Sequence, residues 1–361
     1  KSELSLNMVW SKKIGDGVGE KALRIEPKIQ GKRIISASPD GKVKAHLIDS
    51  GKEIWAADIK DFFEEQDFSK VLSGNVDILT SGVEADSKFV FVCSASGHLF
   101  ALNQVDGSFG WKASISSESL APPKVDNDLV VVQTIDGKVA GYGASDGSKR
   151  WEYAAKIPPL TLRGTSTPMI YDDIVIAGFS NGRIAFITRD DGLAAFEQIV
   201  GVPEGVSDLE KLVDLDGKMA IENNVLYITG YQGKLIAIDL RAGEILWEKE
   251  ASSLAGVSFG FGNVYLISVD GKVIAYNGAN GREIWRVEAL LNRQLNAPLV
   301  IGSYLAFTDF EGYLHLLAQS DGRFVGRKKL DSRGVGARLL QREGRIYALG
   351  NGGNLAVLEI R

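Results

Sequence analysis

Apolar and polar residues alternate in short runs along nearly the whole chain, and each run ends at a glycine. The clearest copy runs from Gly233 to Trp247, G-K-L-I-A-I-D-L-R-A-G-E-I-L-W. Leu235 and Ala237 alternate with their neighbours, Asp239 and Gly243 bracket a break, and Trp247 follows four residues past the second glycine. Alternation of period two predicts a half-buried strand, and the glycine-bearing break predicts a hairpin into a second strand.

The same stretch recurs. Its first glycine falls at Gly41, Gly97, Gly137, Gly182, Gly233, Gly271, Gly312 and Gly353. Seven copies carry a second glycine ten residues on, at Gly51, Gly107, Gly147, Gly192, Gly243, Gly281 and Gly322. Four residues further stand Trp55, Trp111, Trp151, Phe196, Trp247, Trp285 and Gly326. An apolar run precedes each first glycine, and a shorter strand precedes that, often opened by a proline (Pro27, Pro123, Pro168, Pro298). Each unit therefore holds four short strands, A to D. The first glycines are 56, 40, 45, 51, 38, 41 and 41 residues apart. Four strands per period of about 40 residues predict a β-propeller blade.

The eighth unit has no second glycine before the chain stops at Arg361, but Leu6-Asn7-Met8-Val9-Trp10-Ser11 supplies the missing strand and its Trp at the other terminus. The expected fold is all-β: an eight-bladed propeller of four-stranded antiparallel blades, one domain over 1–361, its ring closed by residues about 5–14. All six tryptophans sit at one repeat position. That regularity predicts packing between blades, each ring covering about 150–250 Å².

Composition narrows the function. A net charge of −5 gives no basic footprint for nucleic acid. The single cysteine, Cys93, cannot form an internal disulfide and lies in the strand-like run Phe89–Cys93, so an inert core thiol is expected. His46, His98 and His315 fall inside the strand C stretches and read as strand residues. No nucleophile elbow, phosphate loop, haem motif or paired Cys/His spacing is present. Asp214-Leu215-Asp216 lacks the further acidic ligands of a calcium loop. No catalytic residue, metal or cofactor is expected, and no segment is apolar and long enough to span a membrane as a helix.

Function then belongs to what interrupts the repeat. Long connections from strand D to the next strand A run from Asp58 to Leu79, from Ile157 to Thr165 and from Gly201 to Leu215. In a four-stranded meander the D–A and B–C connections share one face, so these three should project from the same side. Insertions on a repeat scaffold map to one face, often the binding face.

The unit A-x-D-x-x-x-G-x-x-x-W, as in Ala237 to Trp247, resembles the tryptophan-docking repeat of quinoprotein dehydrogenases. Those are eight-bladed propellers that hold pyrroloquinoline quinone near the axis against a vicinal disulfide, which one cysteine cannot make. A quinone-binding dehydrogenase or a degenerate relative is the alternative reading. The whole chain more closely resembles the BamB family of outer-membrane protein assembly factors, lipid-anchored propellers of the β-barrel assembly machinery. The segment Pro159-Leu160-Thr161-Leu162-Arg163-Gly164-Thr165 is similar to that family's L-x-L-R-G stretch, and Asp214-Leu215-Asp216 to its D-x-D stretch.

The resemblance implies a non-enzymatic scaffold on the periplasmic face of the outer membrane. Its partners would be the periplasmic domains of BamA, contacted through Leu160, Leu162, Arg163, Asp214 and Asp216, and nascent outer-membrane proteins. The family's lipidated N-terminal cysteine is not in this chain, whose residue 1 is Lys. A lipid anchor is therefore implied by the resemblance alone. Leu160 and Leu162 packing under their loop, with Arg163 paired to Asp214 or Asp216, is the competing structural reading.

Overall fold

Because each strand B and C is apolar on both sides, a blade must be covered on both faces, and a closed ring does this for every blade. The computed structural model describes residues 3–19, 21, 23–64, 78–157, 166–201, 215 and 217–361. Among the described residues thirty-two strands form eight four-stranded sheets, all pairings between neighbouring strands being antiparallel. Blade 1 has strands Lys28–Gln30, Arg33–Ala37, Lys42–Leu47 and Glu53–Asp58, with A innermost and D outermost. Among the described residues the core is eight apolar clusters, one between each pair of adjacent blades.

Blade 8 is completed as expected. Leu6–Lys13 pairs antiparallel with Asn354–Ile360, and the backbones of Ser5 and Arg361 exchange hydrogen bonds of 2.8 and 2.9 Å. The first and last residues of the ring thus share one ladder, and no sheet edge is left open at the seam.

The repeated tryptophan joins one blade to the next. Each of the six indole N–H groups donates to a backbone carbonyl of the following blade. Trp10 donates to Ile48, Trp55 to Gln104, Trp111 to Ala144, Trp151 to Arg189, Trp247 to Gly278 and Trp285 to Gln319, at 2.7 to 3.1 Å. Each ring lies on the second glycine of that next blade. Gly51, Gly107, Gly147, Gly192, Gly281 and Gly322 have φ of +65 to +74°, and a Cβ on any of them would meet a Trp atom at 2.5–2.8 Å. Both the backbone angle and the indole therefore exclude a side chain.

The partner strand is matched to the ring. Opposite the Trp, strand C carries a small residue: Ala45, Ala101, Gly141, Ala237 or Ala275. The register slips by one at this point in all seven blades with an internal C–D hairpin. Such a bulge adds local twist. The closing strand slips between Met8 and Trp10. Where Phe196 replaces Trp, it stacks on Phe186 at 4.0 Å and 12°.

Blade 7 has Gly326 at the Trp position, opposite Leu316. The reason is topological. The C–D turn on which its Trp would dock is, in blade 8, the gap between the two chain ends. The Leu4 amide bonds the Val325 carbonyl there instead, at 2.9 Å.

Gly107→Ala should lower stability by about 2 kcal/mol or more, since the left-handed backbone and the Trp55 ring each penalise the methyl. Gly31→Ala is the control, because its φ is also positive, +57°, but its Cβ would meet nothing. Urea unfolding midpoints check this, with the larger loss expected at Gly107.

Candidate docking face

After strand D, the chain crosses to the turn between strands B and C and bonds it. Ile14 N–H donates to Gly353 O, Ile59 to Gly41, Ile115 to Gly97, Ala155 to Gly137, Val200 to Gly182 and Leu330 to Gly312, at 2.8–3.0 Å. The D–A and B–C connections accordingly share a face, as the meander requires.

Leu160, Leu162, Arg163, Asp214 and Asp216 all lie outside the described residues. Their flanking residues are described, and they are firmly held. Lys156 O accepts a 2.9 Å bond from Asn181 Nδ2. Leu215 is fully buried in the cluster between blades 4 and 5, and Ser166 is 1% exposed. The two meet at Gly178, the last residue of strand B in blade 4 (Ile174–Gly178). A Cβ there would lie 2.8 Å from Leu215 Cβ and 3.3 Å from Ser166 Oγ. Ends of the 157–165 and 201–215 connections are therefore side by side.

The first long connection begins with a 3-10 turn, Ile59–Phe62, capped by the Asp58 carboxylate accepting from the Lys60 amide at 3.1 Å. Phe62 packs on Phe109 and Phe63 on Phe100, at ring distances of 5.4 and 5.7 Å. Both rings are committed to blade 2. Phe68 lies outside the described residues.

A cluster that the repeat pattern did not reveal lies where the innermost strands begin. Register places Lys28, Glu84, Lys124, Met169, Ala220, Ser258, Leu299 and Leu340 at one level around the axis. Glu84, 2% exposed, is bonded by Lys28 of blade 1 and by Lys124 of blade 3, the latter at 3.2 Å. Two residues earlier stand Glu26, Gly82, Pro122, Thr167, Lys218, Gly256, Ala297 and Arg338. Arg338 Nε lies 3.2 Å from Glu26 Oε1, and Arg338 Nη1 donates to Thr167 Oγ1 at 3.4 Å. Blades 8 and 4 are opposite in an eight-membered ring, so Arg338 spans the channel. Burial pushes the Lys218 ammonium below its ordinary range, and the positive charges of Arg338 and Lys124 add to this against the opposing pull of Glu26. Aligning the units on strand A is the step that would have brought out these four polar residues.

His315 and His46 are buried strand residues. His315 Nε2 lies 2.8 Å from Asp309 Oδ2, with Arg293 Nε on the same oxygen at 2.8 Å and the Tyr313 amide on Asp309 Oδ1 at 2.9 Å. This braces the B–C turn of blade 7. Burial lowers the affinity of both His315 and His46 for a proton, outweighing the Asp309 and Glu53 carboxylates. Cys93 is fully buried, and burial pushes its thiol up to about 12.

A planar quinone on the axis fits poorly here. The Arg338–Thr167 contact crosses the channel, and the one cysteine is sealed in strand B of blade 2 (Phe89–Ser94).

A family model described as outer membrane protein assembly factor BamB matches residues 39–287 and 269–361. The chain belongs to the BamB family. It is 38% identical to the BamB of Pseudomonas aeruginosa over 361 residues, covering 100% of this chain and 91% of that protein. To the BamB of Yersinia pestis it is 34% identical over 335 residues, covering 92% and 84%. The crystal structure of BamB from Moraxella catarrhalis aligns with a TM-score of 0.86 at 27% identity, over 98% of this chain and 100% of that one. A quinohemoprotein alcohol dehydrogenase from Comamonas testosteroni aligns with a TM-score of 0.75 at 13% identity, over 98% of this chain and 76% of that one, and shares the fold alone.

Lowering the pH from 7.5 to 5.5 should lower the unfolding midpoint. His46 and His315 take up protons more readily when unfolded, near pH 6.5, so their contribution is present above that value and is lost as pH falls. His315→Gln should flatten the dependence, which thermal melts across that range would register.

Proposed function

We propose that this BamB-family chain docks its D–A face on the periplasmic domains of BamA, with Leu160, Leu162, Arg163, Asp214 and Asp216 as the contact residues. As a member of the family, the chain is an outer-membrane protein assembly factor, a scaffold and not an enzyme, and works on the periplasmic side of the outer membrane. The observation that carries the docking reading is the meeting of Ser166 and Leu215 at Gly178, which brings the ends of the two connections together on one face. Two leucines beside an arginine suit an interface centre, where Arg is enriched among the residues that dominate binding. A lipid anchor upstream of Lys1 would hold the disc at the membrane, as the resemblance implies. Direct contact with nascent outer-membrane proteins is a further part of this reading.

Titration of the purified chain against the periplasmic domains of BamA tests it. Arg163→Glu should weaken binding by about 2 kcal/mol or more while leaving the melting curve unchanged. Wild-type affinity in that variant would remove this face from the interface.

A further inference from the structure

The axial cluster is placed where it bears on docking. Four blades close the ring at this level with Gly82, Pro122, Gly256 or Ala297, so the fold needs no long side chain there. The other four carry Glu26, Thr167, Lys218 and Arg338, in blades 1, 4, 5 and 8. Thr167 stands two residues after Thr165 and Lys218 two after Asp216, so each follows one of the two proposed contact segments. Side chains of Arg338 and Glu26 are 12% and 14% exposed. A buried ion pair contributes little net stability over an apolar replacement, and its best-attested use is to fix one arrangement among several.

We propose that Arg338 is a positioning residue for partner binding. Its guanidinium is drawn towards Glu26 in blade 1 by charge, reaches across the channel, and fixes the entry to strand A of blade 4 through the Thr167 hydroxyl. Lys218, at the entry to strand A of blade 5, is held by its backbone, whose carbonyl accepts from the Val257 amide at 2.8 Å. The cluster thereby sets the spacing between the points at which the two contact segments rejoin the ring. This inference rests on the docking reading given above.

The test is a set of titrations of the full chain against the periplasmic domains of BamA, with hydrogen exchange of a peptide covering 166–171. Arg338→Met, compared at a temperature where it is still folded because it leaves Glu26 unpaired, should bind about tenfold more weakly and exchange faster over 166–171. Thr167→Val should weaken binding too, and the double variant no more than Arg338→Met alone, because both remove one contact. Arg345→Met, which breaks the outer pair with Glu359, should bind as wild type.

Wild-type affinity in Arg338→Met, or full additivity with Thr167→Val, would overturn the proposal. If Arg338→Met does not fold, Thr167→Val carries the test, since it removes no charge. Loss of binding in Arg163→Glu with none in Arg338→Met would sink this inference alone. No loss in either would sink the docking reading with it.

Discussion

The docking of an indole onto the next blade is the interaction on which the rest of the structure depends. A four-stranded sheet with two apolar faces cannot stand alone, and the tryptophan gives each blade a fixed seat on its neighbour. One side chain contributes buried area, a directed hydrogen bond to a carbonyl, and a steric demand that only glycine meets. Exceptions follow the same logic. Phe196 still faces Gly243 of the next blade, at 3.7 Å from where a Cβ would lie, and gives up the hydrogen bond, while Gly326 stands where the following blade has chain ends in place of a turn. The strand closing that last blade brings Trp10 with it, so the indole that seats blade 8 on blade 1 comes from the opposite end of the sequence.

A ring seated this way leaves its D–A connections free to vary. Connections bonded to the B–C turns lie on one side of the disc, and their ends are anchored in the core by residues such as Ile59 and Leu215. Two of the long ones end beside each other, at Ser166 and Leu215. Inside the ring, Arg338 of blade 8 reaches across the axis to Thr167 of blade 4, where one of those connections ends, and Lys218 of blade 5 stands where the other ends. The tryptophans set the disc, and Arg338 ties opposite sides of it together.

Much of this was legible in the sequence, because turn glycines and a recurring Trp report directly on backbone angle and packing. The ten-residue glycine interval marks the C–D hairpin, and the terminal Trp10 strand announces the closure. Other features resist such reading. Arg338 and Thr167 are 171 residues apart and meet only because blades 8 and 4 face each other. Lys218, Glu26, Arg338 and Thr167 differ in type from unit to unit, so a search for what repeats passes over them. Phe62 and Phe63 lie in the first long connection, and their burial against blade 2 has no counterpart in the repeat pattern. His315 looked like a strand residue and is one, but its pairing with Asp309 and Arg293 depends on a turn that period-two patterning does not describe.

The claim that one face of this disc carries the function is tested most directly by site-specific photocrosslinking within the assembled machinery. A photoreactive residue would be placed at position 163 on the D–A face or at Val105, which is 62% exposed on a C–D turn of the opposite face. The account predicts crosslinks to BamA from position 163 and none from position 105. Crosslinks from 105 with none from 163 would contradict it.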